Sequence, residues 1–518
     1  MDIFDHKTVC LASVAGVLGL FLAVYSFTCV VYNLFFHPLA QVPGPMLWRA
    51  SRLLFIRSLL SGNLPIDSKK IHQKYGDIVR IAPDEVSFAR HDMWRDIFVG
   101  QDGHQPLPKN PTFWKAPPGQ PDNLAFTSDP AASTRMRSVA MPAFTERALA
   151  RQEPIMQAYV SLLVEKLSER ASAAKIANQK AVINVMDYFN WLAFDLVGQL
   201  ALGEDFGCLK ETELHQWVAI LFSSMRAMAL AAATRYYAGL ESILMYLIPA
   251  SVRKAQTDHY STARDKIHRR MLAEDTKRDD FMTPMLGENN PNFKNMSLPE
   301  VESTMVILLL AGSETTATAL CGTFNYLTHN PAELRKLEQE IRGVFKREED
   351  MTLRALQNLP FLNAVVSEGL RMCTPVPTGL FRIVPKGSGG ATVCGVFLPE
   401  GTHVLANFNV MSFSEKSFYR AGDFLPDRFL PDGARPAEFD NDSRYDQKPF
   451  GAGSRACPGK GFALAEMRLV LARVVWRFEV STAPGKQVDW NELKTYILVE
   501  KVPIEIVIKE RPEASSSH

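Results

Sequence analysis

A surplus of charge of either sign is what this 518-residue chain lacks: 57 Lys and Arg against 56 Asp and Glu leave a formal net charge of +1. A general nucleic-acid binder or a polyanion-wrapping protein needs a basic excess, so no nucleic-acid partner is expected. Cysteine is scarce too, with seven residues at 10, 29, 208, 321, 373, 394 and 457, and no two form a C-x-x-C pair. That spacing argues against a disulfide scaffold and a structural zinc site. Each thiol therefore needs a local explanation. There is no internal repeat, and low complexity is confined to the terminal ASSSH, so residues 511–518 are expected to form a disordered tail. Apolar residues, by contrast, make up 47% of the chain and charged ones 22%, the balance of a folded protein with a large core.

Residues 8–36 carry no formal charge, and the stretch is long enough for a helix across a hydrocarbon core of about 30 Å. A cleaved signal peptide is the alternative. The run is too long for one, no basic segment precedes it and no convincing A-x-A-like site follows. Asp2, Asp5 and Lys7 lie before it and Arg49, Arg52 and Arg57 after it, so the positive-inside bias puts the following chain in the cytosol. The segment HPLAQVPGP (residues 37–45) has three prolines and a glycine, which stop the helix and predict a stiff, extended hinge. The chain then divides into an anchor at 1–36, a hinge at 37–45, a catalytic domain at 46–510 and the tail.

Within 46–510, KYGDIVRIAPDEVSFA (residues 74–89) alternates as a hairpin, and β signals return at 393–407 and 502–508. Helical spacing of apolar residues covers 151–171, 181–201, 213–237, 299–329 and 332–346. The charged, turn-rich stretch 274–292 looks like a surface connection rather than a domain boundary. The fold class is mainly α with small β-sheets.

The strongest local signal is PFGAGSRACPGKGFALAEMRLVLARVVWRF (residues 449–478): a glycine-rich turn, one cysteine, then a helix. Cys457 falls near unpaired backbone N–H groups at the positive end of that helix, which favour thiolate over thiol. Pro458 suits the first helical position, and Gly451, Gly453 and Gly459 let the backbone approach a flat ligand against which Phe450 can pack. FGAGSRACPG matches in full the haem-binding signature F-x-x-G-x-R-x-C-x-G of the cytochrome P-450 family, which the sequence resembles in order over almost the whole chain after the hinge.

The resemblance implies the cytochrome P-450 fold preceded by a single transmembrane helix, and haem b ligated by the Cys457 thiolate, with Phe450 and Gly459 in its cradle. Glu368 and Arg371 in SEGLRM share one helix face. With Arg428 of FLPDRF they resemble the family's structural ion triad. AGSETT (residues 311–316) resembles the long-helix motif in which Glu314 and Thr315 serve oxygen activation. Arg137, Arg382 and Arg455 stand where the family places propionate-binding guanidinium groups. Many relatives add His or Trp four residues before that first arginine, where this chain has Ser133. Ala311, Val376, Pro377, Thr378, Phe381, Tyr496 and Ile497 match positions that often touch substrate, with Phe381 expected to narrow the cavity near the iron.

The implied reaction is hydroxylation or epoxidation of a lipophilic small molecule by O2, with electrons from an external NADPH-dependent reductase. Only 61 residues follow Cys457, too few for a flavin module. Arg455, Lys460, Arg468 and Arg473 are candidates for a basic docking face. The apolar, Met- and Ala-rich stretch 217–249 is either roof packing or a surface that dips into the bilayer. The overall pattern resembles fungal microsomal members of the family, which implies the endoplasmic reticulum membrane and terpenoid, polyketide or alkaloid substrates. A haem-thiolate isomerase or dehydratase, or a non-catalytic haem-binding protein, is the alternative.

Overall fold

The computed structural model describes residues 2–512 except 101–104, 117–118, 214–215, 249, 273–277, 287–295 and 485–487. Side chains at 2–12, 14, 216–224 and 250–259 other than 254 also lie outside the description. The expected tail at 511–518 falls outside it from residue 513 onward.

Among the described residues two helices are long and apolar enough to cross a membrane, and burial separates them. The 22-residue span Ala15–Phe36 has 0% of its apolar window buried, whereas Leu298–His329 has 67% buried and forms the axis of the core. The first is exposed along most of its length, and only its C-terminal end meets the body, where Asn33 Nδ2 donates to Ala50 O (2.9 Å). It ends in a π-helical turn, Tyr32–Phe36, before His37, whose extended backbone is the conformation required ahead of Pro38.

The hinge differs from the stiff, extended connection that its prolines predict. Leu39 and Val42 are buried, and Arg80 donates from its backbone to Pro43 O (2.7 Å) and from its guanidinium to Asn33 O (2.8 Å). Arg49 adds a bond to Ala40 O (2.7 Å). Free carbonyls in a proline-rich segment attract buried guanidinium groups, and these dock the hinge on the first hairpin.

The central helix Leu298–His329 begins with a capping box between Ser297 and Glu300. Glu300 also holds Arg135 of the Pro130–Ala140 helix by two bonds, 2.7 and 3.0 Å. The central helix packs on Val185–Leu202, Pro360–Met372 and Lys460–Arg477. A Cβ on Gly369 would lie 2.2 Å from Thr323 Oγ1, so only glycine permits that helix crossing.

Four strands form the larger sheet in the spatial order Ile78–Ala82, Glu85–Phe88, His403–Ala406, Leu380–Ile383, all antiparallel except the middle pair. The helical pattern expected from residue 181 starts later: Ala181–Asn184 is a strand, and the helix begins at Val185. Ala181 and Ile183 are buried with Val182 exposed, and pairing with Glu505–Glu510 overrides the local apolar spacing. Within the expected surface connection 274–292, Phe281, Met282 and Met285 are core residues, and Asp280 pairs with buried Arg270 (2.8 Å).

One buried ion cluster ties the helices to the segment leading into the cysteine loop. Arg371 holds Glu368 by two bonds (2.7 and 2.8 Å), and Arg428 Nε donates to Glu368 Oε1 (3.2 Å), all three residues being 0% exposed. Arg371 spends its remaining donors on the carbonyls of Ser412, Ala421 and Asp423, and Arg428 also pairs with Asp442. Glu368→Ala should strand two guanidinium groups and cost about 3–5 kcal/mol, read as a lowered denaturation midpoint. An unchanged midpoint would show that the cluster does not bear the fold.

Glu466, in the middle of Lys460–Arg477, is fully buried, neither carboxylate oxygen has a partner, and burial pushes its carboxyl up to about 8. Unfolded glutamate titrates near 4.3. Between these values the unfolded chain loses a proton that the folded one keeps, so stability is full below the lower value and falls as pH rises toward the upper. Glu466→Gln should flatten the decline of the thermal midpoint between about pH 5 and 8. Equal slopes in variant and parent would refute this.

Candidate active site

The cysteine loop, the central helix and the edge of the larger sheet enclose a cavity of about 320 Å³. Apolar surface dominates its lining, with Leu124, Phe144, Phe281, Ile307 and Leu308 among the side chains and Phe450 and Phe462 on the cysteine-loop side. Cavities of this size and character hold small organic ligands.

Cys457 lies three residues before the helix Lys460–Arg477, and its N–H donates to Phe450 O (2.8 Å), closing the loop. Gly453 has φ 68°, and a Cβ there would lie 2.1 Å from Phe98 O, so the turn requires glycine. The Cys457 sulfur opens to the cavity yet sits deep in the protein. Burial pushes its thiol up, while the Gly459 N–H, Arg137 and Lys109 pull it down. The net direction is upward, so the helix end alone does not make the thiolate that the sequence leads one to expect; a bound metal ion deprotonates a coordinating thiol outright. Cys394, grouped with Asp92 and Asp96, is buried in the 391–398 hairpin, and burial with Asp92 pushes its thiol well up. Among the described residues, Cys457 is the cysteine that lines the cavity.

Four cations line the same cavity: Arg137, Arg382, Arg455 and Lys109, the last missed by the sequence reading. Arg382 is 3% exposed and donates to Phe381 O (3.0 Å), and Arg455 donates to the carbonyls of Thr127 and Asp129 (both 3.0 Å). No salt bridge is formed by any of the four with a described carboxylate. Burial and the neighbouring guanidinium groups press Lys109 down to about 7, and burial and Arg455 press Arg382 down to about 9. A dianion between them would reverse that direction. The cluster, the open sulfur and the apolar walls fit an iron porphyrin with two propionates.

On the central helix, Ala311, Gly312 and Thr315 line the cavity, and Thr315 Oγ1 donates to Ala311 O (2.6 Å). Glu314 points elsewhere: it pairs with buried Lys501, which also donates to Thr318 Oγ1 (3.0 Å), and its Oε2 is buried without a partner. Successive helical residues differ by about 100°, so Thr315 and Glu314 cannot both face the cavity squarely.

Of the residues expected to touch substrate, Ala311 and Val376 line the cavity, whereas Phe381, Tyr496 and Ile497 do not. Leu380 and Arg382 face it, and strand alternation turns Phe381 away, where it stacks on Phe113 at 3.8 Å. Ile497, at φ 74°, caps the hairpin Thr495–Val499 and packs in a neighbouring cluster with Phe55 and Phe381. Tyr496 lies under Arg226, 5.0 Å from its ring. Ser133 is buried away from the cavity, and Pro377 and Thr378 do not line it either.

The expected basic face is also largely turned inward. Arg455 faces the cavity, Arg468 donates to Asn363 Oδ1 (2.6 Å) and Arg473 is 6% exposed against Glu348, leaving Lys460 exposed.

A sequence profile of the cytochrome P-450 family matches residues 42–508. A cytochrome P-450 monooxygenase of Purpureocillium lilacinum is 35% identical over 98% of this chain and 96% of its own length. A monooxygenase of the same family from Aspergillus oryzae is 35% identical over 93% and 94%. Versicolorin B desaturase of Aspergillus parasiticus is 37% identical over 94% and 95%. With the family profile covering residues 42–508 and relatives aligned almost end to end, the chain belongs to the cytochrome P-450 monooxygenase family.

Proposed function

We propose that this protein is a membrane-anchored haem-thiolate monooxygenase that oxidises a lipophilic small molecule of fungal secondary metabolism. The observation that carries the reading is a cysteine sulfur opening into an apolar cavity where four cations have no carboxylate partner among the described residues. Cys457 would ligate the haem iron, Arg137, Arg382 and Arg455 would hold the propionates, and Phe450 and Gly459 would form the cradle. When bound, the thiolate-ligated haem activates O2 with electrons supplied from NADPH by a separate reductase. The apolar span Ala15–Phe36 anchors the chain in the endoplasmic reticulum membrane with the catalytic domain in the cytosol. Exposed Ile243, Tyr246 and Leu247 support contact of the roof with lipid, which gives apolar substrates a short path inward.

Thr315 Oγ1 spends its proton on Ala311 O, so its lone pairs accept from a cavity water and hold it beside the reacting centre. Glu314, turned off the cavity into its pair with Lys501, acts by fixing the helix that presents Thr315. Ala311 and Val376 pack against the substrate. The likeness to a desaturase favours a second outcome at the same site, removal of two hydrogens instead of insertion of one oxygen. Product mass decides between them.

In the reduced protein with carbon monoxide, the red-shifted Soret band of thiolate ligation is expected, and Cys457→Ser should abolish it. A serine variant that keeps the band would assign the ligand elsewhere. Thr315→Ala should retain haem and substrate binding while product formed per NADPH falls by about tenfold or more, the electrons leaving as hydrogen peroxide. An unchanged ratio would reduce Thr315 to a helix-internal bond.

A further inference from the structure

Lys109 and another polar group reach the cavity from a segment that none of the sequence motifs covers. Residues 108–110 run along the edge of the larger sheet: Lys109 bridges Arg382 in antiparallel fashion, Ile383 N donates to Pro108 O (3.2 Å) and Asn110 N to Phe381 O (3.3 Å). This edge pairing sets Lys109 beside Arg382. The buried Asn110 side chain then turns the chain back, accepting from Thr112 N (2.9 Å) and bonding His403 Nδ1 (2.6 Å), while Trp114 N donates to Asn110 O (2.8 Å). Phe113 is locked by its stack on Phe381. Trp114 is left facing the cavity, with the Lys109 ammonium 5.2 Å from its ring.

Two valences stay open there. Trp114 Nε1 is buried with no hydrogen-bond partner. Lys109 Nζ donates to Ala125 O, and an ammonium has three donors. A buried indole N–H and an ammonium with donors to spare, side by side, select a carboxylate. Ser133, where the family pattern leads one to expect a donor from the helix, is turned away from the cavity.

We propose that Trp114 Nε1 and Lys109 Nζ form a clamp for one carboxylate of the cavity's ligand, supplying from residues 108–114 the donor missing at position 133. The inference rests on the haem reading above, under which that carboxylate is a propionate. The clamp acts on the ligand's acidic arm.

The test follows haem transfer from the ferric protein to an excess of a haem-scavenging apoglobin, for protein reconstituted with haem and with its dimethyl ester. Trp114→Phe should release haem roughly five- to tenfold faster than the parent, and Lys109→Met about tenfold faster or more. The esterified haem should leave all three proteins at matching rates, because its arms no longer present a carboxylate. Equal release of unmodified haem by parent and variants overturns the clamp. So does an ester released faster by the same factor, which would show packing alone. A parent lacking the thiolate carbon monoxide band overturns the cofactor reading, and the clamp with it.

Discussion

Positive charge gathered around one cavity, with no carboxylate partner among the described residues, is the constraint on which the rest of this structure turns. Arg137, Arg382, Arg455 and Lys109 line one cavity, and each is pushed toward its neutral form by burial or by the others. Guanidinium groups do not shed their protons at neutral pH, so the fold holds that repulsion in place until an anion relieves it. Cavity and ligand are then coupled: binding a dianionic macrocycle contributes stability that the polypeptide does not supply alone.

Holding four cations together takes a frame whose own charges are satisfied. The Glu368, Arg371 and Arg428 cluster supplies it, closed by Asp442, which lies in the segment leading to the cysteine loop. Arg371 reaches three further carbonyls between residues 412 and 423, so one helix face organises the chain that delivers Cys457. On the opposite side the central helix is fixed at its start by the Glu300–Arg135 pair and midway by the Glu314–Lys501 pair. Thr315 is thereby held at a defined place on the cavity wall.

Features that depend on near neighbours in the chain were legible in the sequence. The glycine turn, the cysteine and the following helix form one local unit, and Glu368 and Arg371 sit one helical turn apart. Features set by strand parity or distant partners were not. Phe381 follows from its neighbour Arg382 facing the cavity, but that requires knowing where the strand Leu380–Ile383 starts. Tyr496 and Ile497 are placed by the left-handed backbone at Ile497. The partners Lys501, Asp442 and Glu348 lie between 14 and 187 residues from the groups they neutralise, and no periodicity encodes them. Lys109 and Trp114 carried a weak signal, a lysine and two aromatics around Asn110 in a proline-rich loop.

A cavity charged for a flat, dianionic cofactor bound through sulfur fixes where that cofactor must sit. The most direct measurement is an experimental structure of the haem-loaded protein. It should place iron on Cys457 Sγ and both propionates among Lys109, Arg137, Arg382 and Arg455. Iron bound through any other side chain, or propionates directed to solvent with the four cations still unpaired, would contradict it.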